Sequence, residues 1–348
     1  MKMDLTDTTS SKINNALVQG RRAIGTPAVG MVLTLVIVTD EEHAYDALKA
    51  ANEASREHPS RKLVVIKRVS RSPRDRAKAR LDAEVRVGTS AGTGETVVLR
   101  LYGDVIDHAQ SVVLPLLLPD APVVAWWPVG SPTDPAKDPL GALAQRRVTD
   151  AYTAEDPIAD LTARSAHYTP GDTDLAWTRT TPWRSMLAAA LDQQPDAAIT
   201  SAEVEGEPCN PTGELLAMWL ADRLQIPVDQ TPRDTPYAIT SVRLRTKRGP
   251  IVIDRPDGAL ATLSMPGQPD RTVALKKRTT AELLAEELRH FARHEMCPAT
   301  IRPRVQRAGT PPTSAAPTAT ASTTADQRRD SPPPAPGTRR TPRKRQQT

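Results

Sequence analysis

The first 130 residues alternate between short apolar runs and amphipathic stretches. The runs at 29–38 and 63–66 are continuous and rich in β-branched residues, which is typical of strands covered on both faces of a parallel or mixed sheet. Between them, residues 40–57 carry alanine and leucine at helical spacing and end just before Pro59. This order predicts a β-α-β unit.

A hairpin and two helices are predicted around that unit. Residues 81–88 and 95–103 alternate apolar and polar side chains around glycines, which predicts two antiparallel strands. The helix predicted over 107–118 must bend or shorten at Pro115, because proline cannot donate a backbone hydrogen bond. A short amphipathic helix is expected near the N-terminus, over 11–20.

A further buried strand is predicted at 122–129. Successive side chains of a strand point to opposite faces, so Trp126 and Trp127 are expected on opposite sides of the sheet. We therefore expect a Rossmann-like α/β domain with a mixed sheet over 28–130, preceded by an N-terminal helix and lead-in over 1–27.

The segment 131–170 is predicted to be a linker with short helices, because prolines interrupt it repeatedly. One of these helices is expected over 140–147, with Arg146 and Arg147 at its end.

Two of the five tryptophans fall within residues 171–192. In this stretch Thr173 or Asp174 can cap a short helical turn, and Thr181 followed by Pro182 is a helix N-terminal signature. A packed corner or a docking surface is predicted here.

Strands and helices are segregated in the remaining folded part, which predicts an α+β domain with antiparallel strands over 171–297. Its expected elements are a strand at 199–206, a helix at 212–224, three to four antiparallel strands between 238 and 275, and a closing helix at 280–294. Asp257 and Gly258 provide a turn between two of those strands.

The C-terminal segment, 298–348, is predicted to be a disordered basic tail. From Arg302 onward it holds ten Arg or Lys against two Asp, together with nine prolines and almost no large apolar side chain. Such a segment cannot bury enough surface to offset its ordering entropy. The whole chain carries +5, so the part before the tail is near −3 and the basic character belongs to the tail.

The residues that could bind a nucleotide do not match a known fingerprint. After the first strand the chain continues as TDEEHAYD, which has carboxylates where a dinucleotide site needs glycines. The cluster GTSAGTGE fits neither the dinucleotide pattern nor the phosphate loop, so it is interpreted as a hairpin turn. We predict no bound cofactor.

The histidines and cysteines do not form a predicted metal or catalytic site. His290 and His294 lie four apart on a helix, but the glutamate of the HExxH motif is missing and a solvated pair is the preferred interpretation. Cys209 and Cys297 are not spaced as a disulfide pair, which fits a reducing compartment. Each of them is interpreted as an inert thiol. No catalytic residues are predicted.

The first eleven residues are polar, so no targeting segment is expected there, and the apolar run 28–38 is shorter than the roughly 20 residues that span a bilayer. A cytoplasmic protein without membrane contact is expected. The basic connection 67–80 and the tail lack aromatic side chains for stacking on bases, so both are interpreted as solvated segments and nucleic-acid binding through the tail is a lesser alternative.

Four stretches resemble one protein family. They include the sequences PVVAWWPVG, LGALAQRRVTDA, GDTDLAWTRTTPWRS and DRPDGALATLSMPG, within residues 107–132, 138–151, 168–192 and 251–278. These are similar to the glucose-6-phosphate dehydrogenase assembly proteins, also called OpcA proteins, and the likeness covers roughly residues 10–296.

The resemblance implies a non-enzymatic partner of glucose-6-phosphate dehydrogenase that promotes its active oligomer and thereby supports the oxidative pentose phosphate pathway and NADPH production. It supplies no catalytic, cofactor or metal-binding residues. Redox control through cysteines, which some members have, is not carried over, because this chain lacks a cysteine pair near its C-terminus.

The residue types of 171–192 agree with a protein-binding role, since Trp and Arg are enriched in binding hot spots. Trp183 is expected to be structural because tryptophan is strongly buried on average. The predicted partner surface consists of Arg146, Arg147, Asp172, Asp174, Trp177, Arg179 and Arg184. The main alternative is an enzyme or sensor that binds a sugar phosphate or nucleotide in the N-terminal domain, near Thr39 and Asp40.

Overall fold

The computed structural model describes residues 1–25, 30–69, 78–88 and 94–289. Within these ranges the chain forms two sheets. The strands of the first sheet are β1 (Lys2–Leu5), β2 (Leu33–Thr39), β3 (Ser60–Arg68), β4 (Arg80–Val87), β5 (Gly94–Tyr102), β6 (Val123–Trp126), β7 (Arg146–Thr149) and β8 (Asp172–Asp174). Their order is β1-β4-β5-β3-β2-β6-β7-β8. The six strands from β5 to β8 in this order are parallel, whereas β4 and β1 extend the sheet antiparallel.

The second sheet has six strands in the order β10-β9-β11-β12-β13-β14. They are β9 (Ile199–Gly206), β10 (Val228–Pro232), β11 (Ser241–Thr246), β12 (Ile251–Asp254), β13 (Leu260–Ser264) and β14 (Arg271–Ala274). Three to four antiparallel strands were predicted between 238 and 275, and the structure has four, β11 to β14. The parallel edge strand β10 was not predicted, because its largely exposed sequence VDQTP has no apolar alternation.

Eight α-helices occur in the described ranges: α1 (Ser10–Ile24), α2 (Ala44–Ala54), α3 (Ala109–Val113), α4 (Pro157–Ala166), α5 (Leu175–Arg179), α6 (Thr181–Asp192), α7 (Pro211–Leu224) and α8 (Thr280–Arg289). The mixed α/β class with two sheets is therefore confirmed. The helix α3 stops at Val113 and continues as a short 3-10 turn that contains Pro115, as the missing proline amide predicts.

The first sheet is covered by helices on both faces, as its continuous apolar strands require. Leu35 and Ile37 of β2 pack in one core with α2 and α8, whereas Val36 and Val38 pack in the opposite core with α1 and α3. Trp126 and Trp127 divide between the same two cores, which confirms their predicted opposite orientation. The second sheet packs on α6 and α7 through a separate core.

The prediction of a helix over 140–147 is wrong. Only a 3-10 turn occurs at Gly141–Leu143, and Arg146 and Arg147 lie on β7, which is hydrogen-bonded between β6 and β8. The helical propensity of this stretch is overridden by pairing with two neighbouring strands. The short strands β1 and β8 were also missed.

The local structure of 171–192 is mostly as predicted. Asp174 caps α5 by accepting a hydrogen bond from the amide of Ala176, at 2.9 Å. The prediction that Thr181 is an N-cap is wrong, because Thr181 is the first residue of α6 and the preceding Thr180 is itself helical, with φ −79° and ψ −15°. Two helices thus follow each other with only Thr180 between them.

Candidate protein interface and adjacent cavity

Arg147 is held inside the first sheet by a complete set of partners. Its Nε donates to a carboxylate oxygen of Asp172 on the adjacent strand β8. Its two terminal nitrogens donate to the carbonyl oxygens of Ala144, at 2.8 Å, and Pro170, at 2.7 Å. Burial raises the pKa of Asp172, and the Arg147 guanidinium opposes that rise. This pair fixes the β7–β8 edge.

The neighbouring Arg146 connects the first sheet to the last described helix. Its Nε donates to Glu287 of α8 at 3.1 Å, and this carboxylate is only 4% exposed. The hydroxyl of Thr178 in α5 donates to the other oxygen of Glu287. One buried carboxylate therefore joins β7, α5 and α8.

Asp174 organises the turn between β7 and α4. Its carboxylate accepts hydrogen bonds from the hydroxyl of Thr149, at 2.7 Å, and from the amide of Ala151, at 3.0 Å, besides capping α5. The guanidinium of Arg164 lies 3.5 Å away. Since Asp174 is 5% exposed, this carboxylate acts within the chain.

Arg179 forms a bidentate pair with Asp150, with both nitrogen–oxygen distances at 2.7 Å. Burial raises the pKa of Asp150, and the charge and hydrogen bonds of Arg179 counteract it. The guanidinium also lies 5.4 Å from the ring centroid of Tyr152, which is 39% exposed. Together with Tyr152, the Arg179–Asp150 pair therefore reaches the protein surface.

Trp177 packs in a small core with Ala151, Leu161 and Leu215 and is 7% exposed. The Arg184 guanidinium lies over its ring at 3.8 Å from the centroid, in cation–π geometry. Burial lowers the pKa of Arg184 to about 10. Trp183 is 3% exposed and packs against the second sheet, which confirms its predicted structural role.

The seven predicted interface residues lie on β7, β8, α5 and α6, around the junction at which α5 meets α7 and α8, and each has contacts within the chain. Arg146 and Arg147, as successive residues of β7, lie on opposite faces of the first sheet. Arg147, Asp174 and Trp177 are buried, whereas Arg146, Asp172, Arg179 and Arg184 are half-buried. Their assignment to a partner surface stays a prediction.

A cavity of about 400 Å³ opens beside the Arg179–Asp150 pair. Cationic side chains dominate its charged lining: Arg179, Arg255, Lys276, Lys277 and Arg278 face it, against Asp150 alone. Three of these cations have carboxylate partners, since Arg179 pairs with Asp150, Lys276 with Glu282 and Arg278 with Glu286.

Arg255 is the most deeply buried cation of this cavity, at 6% exposure. Its terminal nitrogens donate to the carbonyl oxygens of Leu275, at 3.0 Å, and Ile239, at 2.6 Å, and its guanidinium lies 5.0 Å from the ring centroid of Trp183. Its Nε is buried and has no hydrogen-bond partner among the described residues. Burial lowers the pKa of Arg255.

Sequence reasoning missed this cavity. The run Lys276–Arg278, three cations directly after the last strand, was a signal that could have pointed to it. Arg255 gave no such signal, because a single arginine directly after a strand such as β12 is ordinarily exposed. Its burial follows from the approach of Trp183, more than 70 positions earlier in the chain.

The other sites considered from the sequence have different outcomes. His290, His294 and Cys297 lie outside the described residues, as do most of the glycine cluster and positions 70–77 of the basic connection. Cys209 is a free, exposed thiol. Among the residues that the structure describes, no group of three or more His, Cys, Asp or Glu is placed to hold a metal ion.

The fold is mixed α/β with two sheets, and buried ion pairs hold the elements around α5 together. Two consecutive family models match the chain: the glucose-6-phosphate dehydrogenase subunit N-terminal domain over residues 51–166, and the C-terminal domain of the same subunit over residues 170–299. The chain belongs to this family, the OpcA family.

A curated relative carries the same family name. Over 158 residues the chain is 25% identical to the putative OxPP cycle protein OpcA of Synechocystis sp., which corresponds to 43% of this chain and 33% of the relative. The aligned part therefore spans about a third of that protein's length.

A solved structure described as an oxidoreductase from Sinorhizobium meliloti is similar with a TM-score of 0.44 and 9% identity, over 78% of this chain and 94% of the other. A likeness of this size supports no conclusion about activity. In the described ranges, the helices are too short or too polar to cross a membrane.

Proposed function

We propose that this chain is a non-catalytic partner of glucose-6-phosphate dehydrogenase that binds the enzyme and favours its active oligomer. The observation that carries the proposal is the match of both family models, which describe a subunit of that dehydrogenase. The role places the chain in the oxidative pentose phosphate pathway, where the dehydrogenase produces NADPH, and the name of the cyanobacterial relative points to the same pathway.

The proposed effect on the enzyme is a linkage between two equilibria. A partner that binds the active oligomer more tightly than the other forms shifts the population toward the active form. A tenfold preference corresponds to about 1.4 kcal/mol, which a few contacts can supply.

We infer that the partner contacts the exposed edge of the junction. Three of the seven candidate residues are buried, so they hold the surface in shape while Arg179 and the adjacent Tyr152 reach solvent. Tyrosine and arginine are both enriched in hot spots, and here the Arg179 guanidinium is already fixed by Asp150.

The test is reconstitution with the purified dehydrogenase. We expect co-sedimentation of the two proteins in analytical ultracentrifugation and faster NADPH formation at enzyme concentrations at which the dehydrogenase alone dissociates. An unchanged oligomer together with an unchanged rate, at saturating concentrations of this chain, would refute the proposal.

The surface is tested by Tyr152→Ala, with Tyr45→Ala as the matched control. Tyr45 is 77% exposed on α2, remote in sequence from the junction. We expect Tyr152→Ala to weaken binding by about tenfold or more, as truncation of a hot-spot aromatic does, and Tyr45→Ala to have no effect. Equal affinities of both variants and the wild type would remove this edge from the interface.

The first sheet also supports the Rossmann-like description, as a proposal about its fold. Its six parallel strands follow the order β5-β3-β2-β6-β7-β8, which is that of doubly wound nucleotide-binding sheets. However, the loop after β2 presents Asp40, which contacts His43 at 2.8 Å, and Glu41, which pairs with Arg100. These carboxylates oppose a phosphate at that position.

A further inference from the structure

We propose that the cavity at the junction of the two sheets binds a small phosphomonoester, a molecule with one phosphate group on a ring-bearing body. This inference goes beyond the proposed function, because it concerns a ligand of the isolated chain. It also differs in place from the nucleotide site considered near Thr39, which lies at the carboxyl end of β2.

The first argument is charge. Two of the five cations that line the cavity, Arg255 and Lys277, have no carboxylate within 4.0 Å in the part of the chain that the structure describes. The three others are neutralised by Asp150, Glu282 and Glu286. The cavity therefore faces two cations that have no directly paired carboxylate, and these match the two negative charges that a phosphomonoester carries near neutral pH.

The second argument is the burial of Arg255. Burying a guanidinium to 6% exposure without a carboxylate within 4.0 Å is unfavourable, and its Nε has no hydrogen-bond partner in the described structure. The two carbonyl oxygens that accept from its terminal nitrogens fix the group but carry no formal charge, and Asp257, which acts on it electrostatically, lies beyond 4.0 Å. A phosphate oxygen would supply the missing negative charge.

The third argument is the remaining lining. Thr212, in the first turn of the fourteen-residue helix α7, is 2% exposed, and its hydroxyl has no hydrogen-bond partner among the described residues. The positive end of the α7 dipole adds to the attraction for an anion. A buried hydroxyl, a buried guanidinium and a helix N-terminus thus line one cavity.

The fourth argument is size and the apolar wall. A volume of about 400 Å³ lies in the range of small-molecule sites. Trp183, Tyr237 and Leu275 also line it, so the body of the ligand packs against ring and aliphatic surface. The basic tail of this chain is not a suitable occupant, because its charge has the same sign as the cavity.

The experiment is isothermal titration calorimetry of the full chain at about 0.15 M salt, where nonspecific attraction is screened. The probes are AMP and glucose 6-phosphate, each paired with its uncharged counterpart, adenosine or glucose, and inorganic phosphate is the third anion. We expect at least one phosphorylated probe to bind about tenfold or more tightly than its counterpart, as a charge-assisted hydrogen bond predicts. Binding of AMP alone identifies a nucleotide, and binding of glucose 6-phosphate alone identifies a sugar phosphate.

Two variants locate the binding. Arg255→Gln is expected to weaken the binding by about tenfold or more, and Lys277→Ala, which changes an exposed side chain, by several-fold. Lys247→Ala is the matched control, since Lys247 is an exposed lysine outside the cavity. If Arg255→Gln does not fold, Lys277→Ala and its control still decide the question.

The proposal is overturned if no phosphorylated probe binds at millimolar concentration, if adenosine and glucose bind as tightly as their phosphates, or if Lys277→Ala and Lys247→Ala have the same affinity as the wild type. Because the dehydrogenase is absent from this experiment, its outcome is independent of complex formation.

Discussion

At the scale of single residues, the most unusual group is Lys62. It lies on β3 in the interior of the first sheet, has no exposed surface, and burial lowers its pKa to about 8. Its sequence context, a lysine within SRKLVVIKR, indicated only a strand with polar residues at both ends. Because the chain places β3 between β2 and β5, the lysine became part of the core.

This burial predicts that stability rises with pH. An ordinary lysine titrates at about 10.5, so between pH 8 and 10.5 the unfolded chain binds more protons than the folded chain, and the free energy of unfolding increases over that interval. Below pH 8 the destabilisation is complete, at about 3 kcal/mol. Lys62→Met removes the ionisable group and with it this destabilisation. We therefore expect the variant to exceed the wild type in unfolding free energy by more at pH 7 than at pH 10, and the two differences to be about 2 kcal/mol or more apart.

Urea denaturation at the two pH values measures this difference. Lys49→Met, an exposed position on α2, is the control for the loss of a surface charge. A difference for Lys62→Met that is the same at pH 7 and pH 10 would contradict the prediction.

Some residue-level features could be predicted because they depend on local periodicity. The opposite orientation of Trp126 and Trp127 follows from strand alternation alone, and the cap of α5 by Asp174 follows from its side chain and position. The partners of Arg179 and Arg255 could not be predicted, since each depends on residues brought close only by the fold.

At the scale of elements, α8 has an unexpected position. It follows the second sheet in the chain, yet Leu283, Leu284 and Leu288 pack in the core of the first sheet together with α2. The leucines at helical spacing in 280–288 indicate which face of this helix is buried, but not which element that face packs against. The segment 275–279 connects β14 to α8 and lines the cavity.

The buried contact between α8 and β7 predicts a specific loss of stability. Glu287→Gln leaves the half-buried Arg146 without its carboxylate, so we expect a decrease of about 2 to 3 kcal/mol in the free energy of unfolding. Glu57→Gln is the matched control, because Glu57 pairs with Arg289 of the same helix but both side chains are more than half exposed. That exposed pair contributes at most about 1 kcal/mol.

Thermal and urea denaturation of the two variants measure both effects. Equal losses of unfolding free energy in Glu287→Gln and Glu57→Gln would show that the Arg146–Glu287 pair stabilises the fold no more than the exposed pair does.

At the scale of the whole molecule, helices that pack with the first sheet also contact the segment that follows the second sheet. The Arg278 guanidinium pairs with Glu286 and donates to the carbonyl oxygen of Thr178, so the segment after the second sheet is anchored to α5 and α8. Arg146 and Glu287 add a second connection across the chain. Unfolding of the segment after the second sheet therefore removes contacts of α5 and α8, which pack with the first sheet.

We accordingly expect the sheets to unfold together. In a Trp183→Phe, Trp219→Phe variant the remaining tryptophans report on the first sheet and the junction, while far-ultraviolet circular dichroism reports on all elements. Coincident urea transitions by the two methods are the expected result. Two separate midpoints would show that the sheets are independent folding units.

The sequence by itself determined the class of the fold, most strands and helices, the buried faces and the family. These depend on periodicity and on residue types that act over a few positions, and the long similar stretches carry the family. Only the tertiary structure decided that 146–149 is a strand, that α8 returns to the first sheet, and that Arg255 and Lys277 line a common cavity. Such features depend on contacts between residues far apart in the chain, whose free energies no local pattern encodes.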